Sequence, residues 1–314
     1  MDIGFLLKRS GQIVWRHKFL WVLGFLVSLN GVLLNAGRLL FGAKASALGR
    51  ELIAWLQQPD ITTMPLDIDL TPKLIGQVTF WSIALVFVVF IGVWLAATWA
   101  EAAVIQAVKA VEADEPVGLV SSLRQGYHWL GRFIAIDAVA FFPWFVLALV
   151  IMLIMILLTL VIGYQAVNQV EWSSLALTMG LGMICLIPLT LLLVPVGWLT
   201  LIYRTLAFRD AALLEHDVRG SIRHTWQVIK RQFGLVAATL VVLWAVKTAV
   251  SWAAELLFWP VLGLTAVFNL PDPLTWLFNG LIFLLVTLIE AIFAAYIAVA
   301  WTLAYAAWAG MDES

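Results

Sequence analysis

The side chains with the most potential for chemistry are charges inside long apolar segments. Lys247 and Glu290 lie in the last two apolar runs, 23 and 20 residues from Leu270, where the chain turns. A charge at bilayer depth costs about 3 kcal/mol or more, so it marks a candidate functional site. We expect an ion pair between them that holds two antiparallel helices in register. A polar step in a substrate or proton path remains an alternative, as does snorkelling to the headgroups. Asp137 and Glu255 lie nearer the span ends, where we expect them to face the headgroups or the interface.

Other chemistry finds little support in the sequence. It contains no His-Glu-x-x-His, no Gly-x-Ser-x-Gly and no phosphate-binding glycine loop. No histidine is spaced as a metal ligand with another histidine or with Cys185, the one cysteine. Asp67 and Asp69 are two carboxylates in a loop, too few for a divalent cation site. We therefore expect no enzymatic activity, no cofactor and no metal.

The elements that position these residues are membrane helices. The chain has 314 residues, 63% hydrophobic and 12% charged, with a mean hydropathy of +1.01. Soluble domains are about 45–50% apolar and about 25% charged, so a soluble enzyme is excluded. The net charge of −1 gives no reason to expect nucleic acid as a partner.

Six apolar stretches have the roughly 20 residues that a membrane helix needs. They are Phe19–Ala36, Val78–Trp99, Phe133–Ile162, Leu175–Tyr203, Gly234–Val267 and Leu274–Trp308. We predict an all-α polytopic protein with six transmembrane helices in a single membrane domain, residues 1–314. The first helix lacks a small-residue cleavage pattern, so we expect it to remain uncleaved.

The basic residues predict the orientation. With the N-terminus inside, thirteen of the 18 Lys and Arg residues lie in inner segments and four lie in the first outer loop. Inner loops carry the excess of positive charge in membrane proteins. We therefore expect both termini in the cytoplasm and the protein in the cell membrane.

Three basic segments precede the odd-numbered spans. They begin at Leu6-Leu7-Lys8-Arg9, at Ser122-Leu123-Arg124 and at Ser221-Ile222-Arg223. The third carries an apolar stripe at helical spacing, formed by Val218, Ile222, Trp226, Ile229 and Phe233. We expect amphipathic helices on an anionic cytoplasmic leaflet. The candidate contacts to lipid headgroups are Arg9, Arg16, Arg124, Arg132, Arg219, Arg223, Lys230 and Arg231. Asp217 is placed to cap the third segment, and Pro116 suits the first turn of the second.

The even-numbered spans also resemble one another. Trp94-Leu95-Ala96-Ala97-Thr98-Trp99 matches Trp198-Leu199-Thr200-Leu201-Ile202-Tyr203 in its aromatic ends. We infer three repeats, residues 1–115, 116–215 and 216–314, each an interfacial helix followed by a two-helix hairpin. Chance similarity among membrane segments remains the alternative.

Six spans entered by segments such as Ser-Ile-Arg-His-Thr-Trp-Gln-Val-Ile-Lys-Arg-Gln-Phe give the chain a family resemblance. It resembles a group of bacterial integral membrane proteins of unknown function. It is also similar to the membrane domain attached to some glycerophosphodiester phosphodiesterases. The resemblance implies the six-helix layout, and it brings no phosphodiesterase domain and no catalytic residues.

Two functions follow as hypotheses. The first is a non-catalytic scaffold, accessory subunit or envelope component that contacts anionic lipid through its basic helices. The second is a carrier for a small molecule or lipid that uses the region of Lys247 and Glu290. Membrane lipids are the expected partners, and a further membrane protein or a second copy of the chain stays open. The alanines of the last two spans offer close-packing faces: Ala245, Ala249 and Ala253, and Ala291, Ala294, Ala295 and Ala298.

Overall fold

A computed structural model describes residues 3–29, 31–33, 72–167, 172–268 and 272–310, and over these ranges the chain is all-α. Its helices are α1 (Ile3–Arg16), α2 (Phe19–Val27), α3 (Pro72–Glu112), α4 (Leu119–Val167), α5 (Trp172–Leu214), α6 (Val218–Arg231), α7 (Phe233–Phe268) and α8 (Asp272–Trp308). The described residues contain no strand, so the polytopic helical class predicted from composition is confirmed.

Five of the described helices are long and apolar enough to cross a membrane. The ranges that meet this criterion of length and composition are Phe87–Glu112, Leu119–Leu158, Leu186–Leu214, Phe233–Ala254 and Gly280–Trp308. These ranges overlap the second to the sixth predicted spans, with several ends shifted by nine to fourteen residues. The first predicted span, Phe19–Ala36, begins with α2, and its residues beyond Leu33 lie outside the described part of the chain.

The basic segments join their spans in two ways. The first and third are separate 14-residue helices, α1 and α6, which end before the spans begin at Phe19 and Phe233. The second runs on into its span without a break, as the start of the 49-residue helix α4. Asp217 caps α6 as predicted, since its carboxylate accepts a 3.0 Å hydrogen bond from the Gly220 N–H. Pro116 lies before the start of α4, so its expected place in the first helical turn is wrong.

The described residues divide into two compact units. The first comprises Met1–Leu130 and Gly234–Ala307. In it Gly24 of α2 meets the backbone of α8: an added Cβ would overlap the Ala291 carbonyl oxygen and lie 2.8 Å from the Ala295 nitrogen. The alanine face of α8 therefore packs against α2. The alanines expected to match it on α7 are exposed: Ala245, Ala249 and Ala253.

The second unit comprises Gly131–Phe233 and Trp308–Ser314. Its core includes the rings of Phe133 and Phe208, stacked with centroids 4.0 Å apart. Asp137 is 2% exposed and pairs with Arg204, whose Nε lies 2.5 Å from its carboxylate. The Arg204 guanidinium also stands 4.3 Å above the Phe208 ring. The expectation that Asp137 faces the headgroups is therefore wrong, because Arg204 of the following helix, α5, neutralises it inside the protein.

Candidate functional site

The helix α6 is held against α5 by an aromatic side chain. The Tyr203 hydroxyl donates a 2.6 Å hydrogen bond to the backbone carbonyl oxygen of Ile222. The Tyr203 ring also meets the Trp226 ring edge to face, with centroids 6.5 Å apart and an angle of 76°. Because the bond is made to the backbone, it fixes the position of α6 without using its charged side chains.

The start of α4 is held in the same way. The Trp99 indole of α3 donates a 2.7 Å hydrogen bond to the Leu123 carbonyl oxygen. Its ring meets that of Tyr127 edge to face, at 6.4 Å and 78°. On α1, the Leu7 carbonyl oxygen accepts a 3.3 Å bond from the Tyr296 hydroxyl of α8. All three basic segments are thus anchored by an aromatic donor on a membrane helix.

Two further features recur around these anchors. An alanine with no exposed surface lies four residues after each aromatic donor: Ala103, Ala207 and Ala300. The backbone then turns left-handed just after each of the three helices ends, at Asp114, Glu215 and Gly310, with φ of 52°, 59° and 77°. A left-handed residue is the usual end of a helix, where it satisfies the last carbonyl groups. Each place where an aromatic donor meets a basic segment, here called a corner, therefore has a donor, a buried alanine and a left-handed residue after the helix of the donor.

The outer surface of the basic segments is cationic. All eight arginines and lysines proposed as headgroup contacts are exposed: Arg9, Arg16, Arg124, Arg132, Arg219, Arg223, Lys230 and Arg231. On α6 the buried face consists instead of Ser221, Thr225 and Val228. The helix therefore packs on the protein through small side chains and directs its cations outward.

Large apolar side chains are exposed beside these cations. Trp226 on α6 is 51% exposed, and the Lys230 ammonium lies 5.1 Å from the centre of its ring. The other two segments expose Phe5 and Trp15, and Val120 and Tyr127. Exposed aromatic rings next to lysine and arginine are typical of helices at a membrane surface.

The helix α1 forms one wall of a cavity of about 1000 Å³. It contributes Lys8, Arg9, Gln12, Arg16 and His17 to the lining, and the turn after α3 contributes Asp114 and Glu115. Arg9 spans the two sides, since its guanidinium lies 3.0 Å from the Glu112 carboxylate. Partial burial lowers the pKa of His17, and the neighbouring Arg16 charge lowers it further. The cavity is thus lined by charges of both signs, beside apolar residues such as Ile13, Trp15 and Val111.

The structure also brings together three residues that sequence spacing did not connect. Asp210, near the end of α5, has no exposed surface. One of its carboxylate oxygens lies 2.9 Å from the His216 Nδ1, and the other lies 2.5 Å from the His224 Nδ1. The two imidazole rings stand 5.2 Å apart. Asp210 lies on α5, His216 on the turn after it and His224 on α6, so no local sequence motif indicates the cluster.

The predicted intramembrane pair lies within the first unit. Lys247 is exposed on α7, whereas Glu290 is half-buried on α8. A Cβ added at Gly31 would lie 3.6 Å from a Glu290 carboxylate oxygen, so this side chain points toward the chain that follows α2. The ion pair stays a prediction. The Glu255 side chain and the loop carboxylates Asp67 and Asp69 lie outside what the structure describes.

Comparisons of the chain with family models, with curated proteins and with solved structures found no match. The class of protein defined by the fold and its helices is a multi-pass integral membrane protein. The resemblance to the membrane domain of some glycerophosphodiester phosphodiesterases stays a prediction from the sequence.

Proposed function

We propose that this protein is a non-catalytic component of the cell membrane that binds anionic phospholipid headgroups through α1, α6 and the start of α4. The observation that carries the proposal is the exposed Trp226 ring with the Lys230 ammonium beside it. A tryptophan sits favourably at the headgroup level, where its ring is apolar and its N–H is wet. A lysine at the same level gains from the negative potential of an anionic leaflet.

The arrangement of α6 supports this role. At about 100° per residue, the stripe of Val218, Ile222 and Ile229 lies roughly 20–60° around the helix from Thr225, on the side away from the other two buried residues, Ser221 and Val228. The stripe is only half-buried, so it borders the face by which α6 packs on the protein and keeps part of its apolar surface exposed. An apolar stripe beside the packing face, with cations beyond it, suits a helix lying in the plane of a bilayer surface.

The second and first segments repeat the pattern with different residues. Exposed Tyr127 lies three residues after exposed Arg124 in the sequence, and exposed Trp15 directly precedes exposed Arg16. Three segments that each present an aromatic ring and a cation would bind lipid far more firmly than one, since each charge near the leaflet contributes about 1 kcal/mol. We therefore propose a scaffold or accessory role in which the protein is bound to anionic lipid on its cytoplasmic side.

The proposed role requires both termini to be cytoplasmic. The charge distribution supports this orientation, because the exposed cations of α6 and α1 belong to segments on one side of the predicted topology. Reporter fusions to the C-terminus test it. An alkaline phosphatase fusion should be inactive and a fluorescent protein fusion bright, whereas the reverse result would contradict the orientation.

Lipid binding is measured by native mass spectrometry of the full chain released from nanodiscs that contain phosphatidylglycerol and phosphatidylcholine. We expect the retained lipids to be enriched in phosphatidylglycerol. The triple variant R219Q/R223Q/K230Q should lose much of this enrichment. Its matched control, R219K/R223K/K230R, keeps the three charges and should retain it. Equal retention of both lipids by the wild-type protein would overturn the proposal.

A further inference from the structure

We propose that Asp210, His216 and His224 bind a divalent transition-metal ion, of which Zn²⁺ is the fitting probe, at the corner between α5 and α6. One ligand atom from each residue lies within 4.8 Å of the other two. The cluster combines one carboxylate with two imidazoles. These oxygen and nitrogen donors are ligands that zinc and its neighbours in the first transition row accept.

The two Asp210 contacts are close to the spacing that such an ion requires. In a tetrahedral zinc site with bonds of about 2.0–2.1 Å, two ligand atoms stand about 3.3 Å apart. The carboxylate of Asp210 now lies 2.9 Å from one ring nitrogen and 2.5 Å from the other. Replacing the bridging protons by a metal ion therefore requires these contacts to open by less than about 1 Å. Three protein ligands leave the fourth position for water.

The surroundings combine a fixed ligand with an open entrance. Asp210 is fully buried one turn before the end of α5, which orients its carboxylate. The side chains of His216 and His224 are 41% and 34% exposed, so an ion can enter from solvent between them. His224 lies on α6 and Asp210 on α5. A bound ion would thus join two helices at the corner where Tyr203 already anchors one to the other.

The other two corners show that this donor set is not needed to form the fold. Seven residues after the aromatic donors Tyr203, Trp99 and Tyr296 stand Asp210, Gln106 and Leu303. Two residues after the acceptors Ile222, Leu123 and Leu7 stand His224, Gln125 and Arg9. The corners share their aromatic anchor and left-handed residue, yet a carboxylate and an imidazole occur together at only one of the three. The cluster is therefore an addition to the common corner, as a ligand site would be.

The experiment uses the full chain without a polyhistidine tag, in detergent micelles, titrated with Co²⁺ while the visible absorption is followed. We expect one Co²⁺ per chain, with the d–d bands of a tetrahedral site, and its displacement by Zn²⁺. The variants His216→Gln and His224→Gln should each bind at least about tenfold more weakly, since even a lost second-shell contact costs that much. His128→Gln, a change of the exposed histidine on α4, is the matched control and should bind as the wild type does.

Circular dichroism checks the helix content of each variant. Because His216 lies on the turn between the helices and is partly exposed, His216→Gln carries the test even where His224→Gln folds poorly. Absence of the absorption bands in the wild type would overturn the proposal and leave a cluster joined by protons alone. Co²⁺ binding that is equal in the wild type and in His216→Gln would overturn it too. Neither result depends on whether the protein binds anionic lipid.

Discussion

The Tyr203 hydroxyl donates a 2.6 Å hydrogen bond to the backbone carbonyl oxygen of Ile222, and so ties a membrane-spanning helix to the basic helix α6. Trp99 makes the equivalent bond to Leu123, 24 residues further along the chain. Anchoring through the backbone leaves the side chains of each basic segment available for other contacts. This shared anchor supports the proposed repeat of the second and third segments more strongly than sequence similarity does.

The anchor can be tested by removing single hydroxyl groups. Tyr203→Phe should lower the free energy of unfolding by about 1 kcal/mol, because one hydrogen bond is lost and the ring is kept. Tyr296→Phe should cost less, since its bond to Leu7 is longer, at 3.3 Å. Thermal unfolding in detergent measures both. Tyr127→Phe, whose ring is 65% exposed, is the control and should change little. Equal losses in all three variants would contradict the anchor.

The buried pair of Asp137 and Arg204 should behave as a unit. Arg204→Met removes the cationic partner of a carboxylate that is 2% exposed, and we expect a loss of about 3 kcal/mol or more. The double variant D137L/R204M should lose less, because no buried charge is left behind. Unfolding midpoints of the single and double variants in one detergent measure the coupling. A double variant whose loss equals the sum of the two single losses would show that the residues act independently.

The contact between α2 and α8 predicts opposite effects for two glycines. Gly24→Ala should destabilise the protein by about 1–3 kcal/mol, because the added methyl group meets the backbone of Ala291 and Ala295. Gly92→Ala, inside α3, places its methyl group where no described atom lies within 4 Å. It should stabilise the helix by about 0.5–1 kcal/mol. Chemical unfolding of both variants measures the two changes in the free energy of unfolding. Equal changes would mean that Gly24 is not at a close helix contact.

The lowered pKa of His17 gives stability a pH dependence. The folded protein holds this proton less tightly than the unfolded chain does, whose pKa is about 6.5. The part of the free energy of unfolding that depends on His17 is therefore fully present above the unfolded-state pKa of about 6.5. It declines as the pH falls toward the lower pKa of the folded protein. His17→Gln should remove that decline between pH 7.5 and 5, measured by the unfolding midpoint, while His128→Gln should keep it. A His17→Gln profile that parallels the wild type would refute the assignment.

Composition and periodicity were sufficient for the membrane class and for the positions of the last five spans. The Asp217 cap could also be predicted, because capping depends on residues three apart in sequence. The end of the basic segment before Phe133 could not. A break in a helix depends on how the following span packs, and in α4 the helix simply continues through Arg132 into its span.

The contacts that could not be predicted from the sequence join residues that are far apart along the chain. Asp137 and Arg204 are 67 residues apart, and each alone reads as a charge near a span end. Asp210 lies six residues before His216 and fourteen before His224, across the end of a helix, so no fixed spacing marks the cluster. The alanines of α8 were predicted to pack closely, yet only the structure shows that Gly24 is their neighbour.

The depth of α6 at the bilayer surface tests the central claim most directly. Spin labels are placed at Ile229, on the apolar stripe, and at Gln227, on the polar face, in a Cys185→Ser background reconstituted with phosphatidylglycerol. We predict that the label at position 229 collides more with dissolved oxygen than with a water-soluble nickel complex, as expected about 5–10 Å into the boundary, and that the label at 227 does the opposite. Two labels that both behave as if in bulk water would contradict a membrane-bound α6.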